Sequence, residues 1–184
     1  MTIILMRHGR PAGVSSQRCS ARAMAEWAAA YDLTTIDDAP PPRCFTLARQ
    51  AEIIVASPLP RAHASLEKLG LRASITDPLF REVALPLLPV TTPALPPGFW
   101  LPLLRLLWLC GYGGSVESFR HARHRAAQAA SQLIALSERG TVLLAGHGIM
   151  NKLIARELRR QGWLAEKHAS SRYWSTAVYH RAFL

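Results

Sequence analysis

Three short apolar runs, each ending directly in a polar motif, constrain the fold of this chain more than any other feature. The runs and their motifs are residues 2–6 with Arg7-His8-Gly9, residues 53–56 with Ser57-Pro58, and residues 141–145 with Gly146-His147-Gly148. Apolar runs of four or five residues, rich in branched side chains and bounded by turns, are typical of fully buried strands. We therefore predict buried β-strands that each end at a polar turn.

Stretches with helical spacing of apolar residues lie between these strands. The predicted helices cover residues 19–31, 43–52, 61–69, 115–137 (with Ser115 as its N-cap) and 149–161. Shorter strands are predicted at residues 73–76 and 177–180, the latter at an edge of the sheet. Strands that alternate with helices predict a three-layer α/β/α sandwich with a mainly parallel sheet.

The middle of the chain carries a proline-rich insert, which we place at about residues 86–114. Six prolines fall between Pro86 and Pro102, which is too many for a regular element. A helix is therefore predicted only at residues 103–110. No stretch has the composition of a linker between folding units, so we predict one domain over residues 1–184 that contains this insert.

Composition and charge exclude several classes of protein. Apolar residues make up 49% of the chain, which favours a folded core over disorder. No apolar run is long enough for a membrane span or a secretory signal. Three widely spaced cysteines without a CxxC motif argue against a disulfide framework or a thiolate zinc site, so we expect a cytoplasmic protein. The net charge of +10 indicates an anionic ligand.

The strand ends carry the residue types that bind phosphate. In a parallel sheet the carboxyl ends of the strands meet along one edge, where ligands bind. We expect His8, His147 and two arginines, Arg7 and Arg61, to meet there. Arginine offers paired donors that match phosphate geometry, and the helices that begin after Pro60 and Gly148 add partial positive charge.

These motifs together resemble a known family. LMRHG at the start of the chain, SPLPRA at residues 57–62 and GHG at residues 146–148 are similar, in order and spacing, to the histidine phosphatase superfamily, whose members are phosphoglycerate mutase-like. Glu117-Ser118 followed by Arg125 matches a further stretch of that family. The resemblance implies the phosphoglycerate mutase-like version of the sandwich predicted above.

The resemblance also implies roles for individual residues. His8 is the expected nucleophile, and Glu82 is the expected general acid. His147 belongs to the catalytic set and also binds phosphate oxygens. The further expected phosphate-binding residues are Arg7, Gly9, Ser57 and Arg61. The resemblance implies neither a metal nor any other cofactor.

The predicted function is metal-independent hydrolysis of small phosphomonoesters through a phosphohistidine on His8. The alternatives are phosphoglycerate mutase-like transfer, a protein phosphohistidine phosphatase, and a basic anion-binding module without turnover. No nucleic-acid partner is expected, because the basic helix faces at residues 120–125 and 156–160 lack interleaved aromatic residues. Within the insert, some of four aromatic residues are expected to line an apolar wall of the pocket for the leaving group: Phe99, Trp100, Trp108 and Tyr112.

Overall fold

A computed structural model describes residues 1–89, 91, 93–114, 116–166, 170 and 172–181. Within these ranges the strands are β1 (Thr2–Arg7), β2 (Ile53–Ala56), β3 (Ile75–Thr76), β4 (Val142–Gly146), β5 (Trp163–Ala165) and β6 (Thr176–Arg181). The α-helices are α1 (Met24–Asp32), α2 (Pro42–Ala48), α3 (Pro60–Lys68), α4 (Pro97–Leu109), α5 (Phe119–Ser137) and α6 (Gly148–Arg160). A single 3-10 turn, Pro78–Phe80, follows β3.

The strands form one sheet in the order β3-β2-β4-β1-β6-β5. Strands β1 to β4 pair with one another in parallel, and β6 is antiparallel to both β1 and β5. The register places Arg7 opposite Gly146 and Ala56 opposite Ala145. The carboxyl ends of β1, β2 and β4 therefore lie side by side.

Helices cover both faces of the sheet, which gives the predicted three layers. Alternate residues of a strand point to opposite faces. Ile3 and Leu5 accordingly pack with α5 and α6, whereas Ile4 and Met6 pack with α2 and α3. The α/β/α fold class is therefore confirmed, and most of the strand residues that carry it are fully buried.

The insert forms a small cap with its own hydrophobic core. Met24 of α1 and Trp100 and Leu104 of α4 are buried together in a cluster separate from the two sheet cores. Backbone hydrogen bonds join Cys19 to Leu95 in both directions, at 3.0 Å each, and fasten the insert to the segment before α1. The cap therefore has a packed structure of its own.

Helix α4 corrects the prediction that the prolines prevent a regular element before residue 103. The helix begins at Pro97, with Pro96 as its N-cap, and these are positions where a missing N–H is tolerated. Pro102 lies inside the helix, where it withholds one backbone hydrogen bond. Burial of Trp100, Leu104 and Trp108 stabilises the helix despite this proline.

Two other boundaries differ from the sequence prediction. Strand β6 is not an edge strand, because the three-residue β5 pairs with its free side and forms the edge. Three residues are too few for a strand period to be visible in a sequence. The N-cap of α5 is Ser118, whose hydroxyl accepts from the His121 N–H at 3.2 Å. Ser115, the predicted N-cap, lies outside the described residues.

No helix in the described part of the chain is long and apolar enough to cross a membrane.

Candidate active site

The polar turns that follow β1, β2 and β4 meet at one edge of the sheet. The His8 N–H donates to the Gly146 carbonyl at 3.1 Å, and the Ser57 N–H donates to the Ala145 carbonyl at 3.1 Å. These bonds extend the strand pairing by one residue beyond the strands. They bring His8, Ser57 and His147 together, although the chain separates the first and last by more than a hundred residues.

His8 is a buried, neutral histidine held in one tautomer. Its Nδ1 lies 2.7 Å from the Gly9 carbonyl oxygen, and a carbonyl only accepts, so Nδ1 carries the proton. Burial lowers the pKa of His8 to about 3; the Gly9 hydrogen bond opposes this shift, and the positive charges of Arg61 and Arg7 add to it. At neutral pH the Nε2 atom of His8 therefore carries a lone pair.

His147 lies beside His8 and is oriented by Ser57. The two imidazole rings have centroids 5.1 Å apart. Nε2 of His147 lies 2.7 Å from the Ser57 hydroxyl, and this hydroxyl accepts from the Leu59 N–H at 3.3 Å. Nδ1 of His147 is buried without a hydrogen-bond partner among the described residues. Burial, followed by the charge of Arg61, lowers the pKa of His147 well below its usual value.

The two predicted phosphate-binding arginines each pack on a tyrosine. The Arg7 guanidinium lies 4.3 Å from the ring centroid of Tyr173, and that of Arg61 lies 4.6 Å from the centroid of Tyr31. Burial and then the neighbouring Tyr173 raise the pKa of Tyr31 to about 12, so its hydroxyl stays protonated. Tyr173 also lies over His8, with ring centroids 5.7 Å apart.

Asp32 supplies a negative charge next to Arg61. Its two carboxylate oxygens accept from Arg61 and Arg81, each at 3.1 Å. Arg61 also donates to the Tyr31 carbonyl at 3.1 Å, although its side chain is only 1% exposed. The carboxylate and the carbonyl thus hold the buried guanidinium in place.

Gly9 leaves no room for a side chain at the turn after β1. A Cβ atom there would lie 2.5 Å from the Asp38 carboxylate and 2.7 Å from the Trp174 ring. Trp174 itself has a backbone φ of 58°, in the left-handed region that tryptophan rarely adopts. The Gly9 N–H donates to the Ser65 hydroxyl at 2.9 Å, so this amide is already bonded within the protein.

Glu82 binds the amino end of α6. Its carboxylate accepts from the N–H groups of Val83 and Met150 at 3.0 Å and from that of Ile149 at 3.1 Å. The carboxylate thus satisfies two of the amides that the first turn of a helix leaves without partners. The sequence analysis predicted that the amino end of α6 adds partial positive charge for phosphate. Glu82 occupies part of this end, because its carboxylate accepts from the Ile149 and Met150 N–H groups.

Arg125 connects the Arg81–Glu82 segment to α5. Its guanidinium forms an ion pair with Glu117 and donates to the carbonyls of Leu79 at 2.9 Å and Arg81 at 2.8 Å. The stretch that matched the family pattern therefore supports the loop that carries Glu82.

A cavity of about 1070 Å³ opens onto this site. Arg7, Arg61, Arg81, Glu82 and Tyr173 line one part of it. His8, His147 and Ser57 are almost fully buried.

The expectation for the four insert aromatics is wrong. Phe99, Trp100, Trp108 and Tyr112 do not line the cavity. Trp100 and Trp108 are buried in the core, because their large rings stabilise α4 best there, while 53% of Phe99 is exposed. The insert instead contributes Leu87, Pro97 and Leu101 to the cavity, and Leu85 lines it directly before the insert.

Four residues of the site were not found from the sequence: Tyr31, Asp32, Arg81 and Tyr173. Tyr31 and Asp32 end α1, and Tyr173 lies in the loop before β6, so none of them lies within the three motifs. Arg81 was next to the predicted Glu82, and this adjacency was the one available signal. Their proximity arises only when α1 and the segment before β6 fold over the strand ends.

The fold of the sandwich is shared with solved structures. The product of an open reading frame of Mycobacterium tuberculosis has a TM-score of 0.62 at 14% identity, over 100% of this chain and 96% of its own. Mycobacterial glucosyl-3-phosphoglycerate phosphatase has a TM-score of 0.57 at 20% identity, over 86% and 79%. Phosphoserine phosphatase of Entamoeba histolytica, solved with 3-phosphoglyceric acid, has a TM-score of 0.55 at 17% identity, over 86% and 80%.

Fold and strand ends thus define an α/β protein of the phosphoglycerate mutase-like class. The family model of the histidine phosphatase superfamily, branch 1, matches residues 45–170, and the chain belongs to this superfamily. The matched range begins after Arg7-His8-Gly9, so the identification does not depend on that motif. No curated protein matches the sequence.

Proposed function

We propose that this protein is a phosphatase that hydrolyses phosphomonoesters through a phosphohistidine on His8. One observation carries the proposal: a neutral imidazole, fixed with its proton on Nδ1, lies 5.1 Å from a second buried histidine and next to Arg7 and Arg61. A neutral imidazole with a free lone pair is the form that attacks phosphorus. Membership of the superfamily supports the same chemistry.

In the first step Nε2 of His8 forms a bond to phosphorus and the bond to the leaving oxygen breaks. Arg7 and Arg61 stabilise the charge on the phosphoryl oxygens, which is the main contribution a protein makes to this type of transfer. Leu59 already donates to the Ser57 hydroxyl, and Ser57 can in turn donate to His147 Nε2. The proton of His147 then lies on Nδ1, where it can donate to a phosphoryl oxygen.

In the second step water attacks the phosphohistidine, which releases phosphate and restores neutral His8. Glu82 is the proposed acid of the first step and the proposed base of the second. Its oxygens accept amide hydrogen bonds from the first turn of α6, which holds the carboxyl group at the lining of the cavity. The open cavity favours hydrolysis over mutase chemistry, because a mutase must keep water from its phosphoenzyme.

Rapid-quench labelling tests the proposal. The protein is mixed with a ³²P-labelled aryl phosphate in EDTA and quenched in alkali, which preserves a phosphoramidate. We expect label on His8 and release of phosphate. The variant His8→Ala should show neither, whereas His124→Ala, which alters an exposed histidine of α5, should behave as the wild type. Unchanged turnover in a folded His8→Ala protein would exclude this mechanism, and interconversion of phosphoglycerates would identify a mutase.

A further inference from the structure

Most of the cavity lies beyond the residues assigned to the phosphoryl group. At about 1070 Å³ it exceeds the upper end of the usual size of small-molecule sites. Arg7, Arg61 and Arg81 mark the end that receives the phosphoryl group. The remaining lining has a polar part, to which Arg10, Ser15, Ser16 and Asp37 belong. Its apolar part comes from α1, the loop after Glu82 and α4, and these walls supply the apolar contacts to a leaving group.

The α1 wall is aromatic and begins at the phosphate-binding end. The rings of Trp27 and Tyr31 are stacked, with centroids 5.2 Å apart and planes 13° from parallel. Tyr31 packs under Arg61, and the Trp27 indole N–H donates to the Ser15 carbonyl at 2.9 Å. The polar atom of Trp27 is therefore bonded within the protein, and the wall offers ring surface to a ligand.

A second wall, formed by Leu85 and residues of the insert, is aliphatic and packs on a buried cluster. Leu85, Leu87, Pro97 and Leu101 line it. Leu85 and Leu101 also pack against the buried cluster that contains Trp100 and Leu104. Since this cluster is packed and joined to α1, the wall is formed before any ligand binds.

The charged residue that the insert adds to the lining is already bonded. Arg105 of α4 donates to the carbonyls of Val83 at 3.1 Å and Ala84 at 3.3 Å. Its ordering role is to fix the loop after Glu82 against α4. Two of its donors are thus used within the protein, and the leucine and proline side chains beside it offer no hydrogen bond to a sugar or a carboxylate.

We infer that the substrate is a phosphomonoester with a bulky apolar leaving group, of which an aromatic ring system fits the Trp27–Tyr31 surface best. The inference rests on the proposed function, because that function places the phosphoryl group at the arginine end. A polyol leaving group would lose hydrogen bonds to water against these walls without replacing them. A ring system would instead bury its own surface and that of the walls, which favours binding.

Binding of unreactive phosphonates tests the inference without requiring turnover. The two probes are methylphosphonate and 1-naphthylmethylphosphonate, measured by calorimetry with the full chain in EDTA. Both carry the same anionic group, so the ratio of their dissociation constants reports the apolar walls alone. We expect the naphthyl compound to bind at least about tenfold more tightly.

Two leucines of α4 provide a matched pair of variants. Leu101 lines the cavity, whereas Leu106, five residues further along the helix, is 57% exposed and does not. Leu101→Asn should reduce the naphthyl preference several-fold, and Leu106→Asn should keep it. Leu87→Asn repeats the test at a second cavity residue, in case Leu101→Asn does not fold.

Equal affinity of the wild type for the two probes would overturn the inference, as would an undiminished naphthyl preference in both Leu101→Asn and Leu87→Asn. Labelling of His8 is measured in the separate rapid-quench experiment. A protein that labels His8 but lacks the preference would retain the proposed function and lose this inference. A protein that shows the preference but never labels His8 would retain the apolar site and lose the proposed mechanism.

Discussion

His8 illustrates how a single buried residue sets both chemistry and stability. The strand pairing and the Gly9 carbonyl place the imidazole at the edge of the sheet in one tautomer. Its burial keeps the ring neutral, which suits a nucleophile. Because of the same burial, His8 does not take up a proton in the folded state at pH values where it does so in the unfolded chain. The free energy of unfolding therefore depends on pH.

The free energy of unfolding should fall as the pH decreases from about 6.5 toward 3. In this window the unfolded His8 binds a proton, while the folded pKa of about 3 keeps the native ring neutral. Each such histidine contributes a slope of up to about 1.4 kcal/mol per pH unit. Urea denaturation between pH 7 and 4 should show a smaller slope for His8→Gln than for the wild type.

The same change at the exposed His124 is the control for that measurement, and it should leave the slope unchanged. His147, whose pKa is also lowered by burial, contributes in the same direction and remains in both variants. Identical slopes for wild type and His8→Gln would show that His8 is not neutral in the fold.

Glu82 should distinguish leaving groups by their need for a proton. An alkoxide leaves poorly without one, and a positioned acid typically contributes about 10²–10⁴-fold, whereas a nitrophenolate needs no proton. Glu82→Gln should therefore slow single-turnover phosphorylation of His8 much more for an alkyl phosphate than for nitrophenyl phosphate. An equal loss for both substrates would mean that Glu82 acts through α6 and that another group is the acid.

At the scale of elements, loops that carry site residues are held by side chains of the helices behind them. Arg125 of α5 fixes the segment from Leu79 to Glu82 through two carbonyls and the Glu117 carboxylate. Arg125 thereby supports the segment that carries Arg81 and Glu82, although it lies far from that segment in the chain. A planar guanidinium can pair with a carboxylate through two N–H groups and still donate to two carbonyls, whereas a lysine ammonium has only three N–H groups.

Arg125→Met should lower the free energy of unfolding by about 1–3 kcal/mol, because it leaves two carbonyls and Glu117 without their donor. It should also reduce turnover, since Arg81 and Glu82 lose their support. Arg123→Met, an exposed change on the same helix, should alter stability by less than about 0.5 kcal/mol. Equal denaturation midpoints and rates for the two variants would contradict this role.

Within the cap, the sequence of α4 taken alone gives a wrong prediction of its structure, because the packing of α4 on α1 decides which residues are buried. The prolines around α4 suggest an irregular segment, yet Pro96 and Pro97 start the helix, and its two tryptophans, Trp100 and Trp108, are buried. The surface that faces the cavity then comes from leucines and prolines. Which face of α4 points inward is decided by the partner it packs on, α1, and not by α4 itself.

At the scale of the whole molecule, the net charge of +10 should speed the encounter with anionic substrates. We expect kcat/KM for a dianionic aryl phosphate to fall several-fold between about 20 and about 200 mM salt, as screening shortens the range of the field. The value of kcat should change less. A double variant with Arg156→Gln and Arg159→Gln, both exposed on α6, should weaken the salt dependence. A flat salt profile for the wild type would contradict steering.

Local patterns in the sequence predict the layers of the fold and the residues at its strand ends. Short apolar runs bounded by turns are typical of buried strands, and polar motifs directly after them meet where parallel strands end, so His8, Ser57 and His147 were found from the sequence. The structure brings them together with Arg7 and Arg61. Their roles in catalysis stay predictions.

The surroundings of these site residues depend on tertiary contacts between segments that are distant in the chain. Asp32, Tyr31 and Tyr173 contact the two arginines from segments that carry no local motif, because these contacts depend on how α1 and the loop before β6 cross the sheet edge. Glu82 was predicted as an acid, but its hydrogen bonds to α6 required two distant segments to meet. Strand order and cavity walls likewise arise from packing between elements far apart in the chain, which a local pattern does not encode.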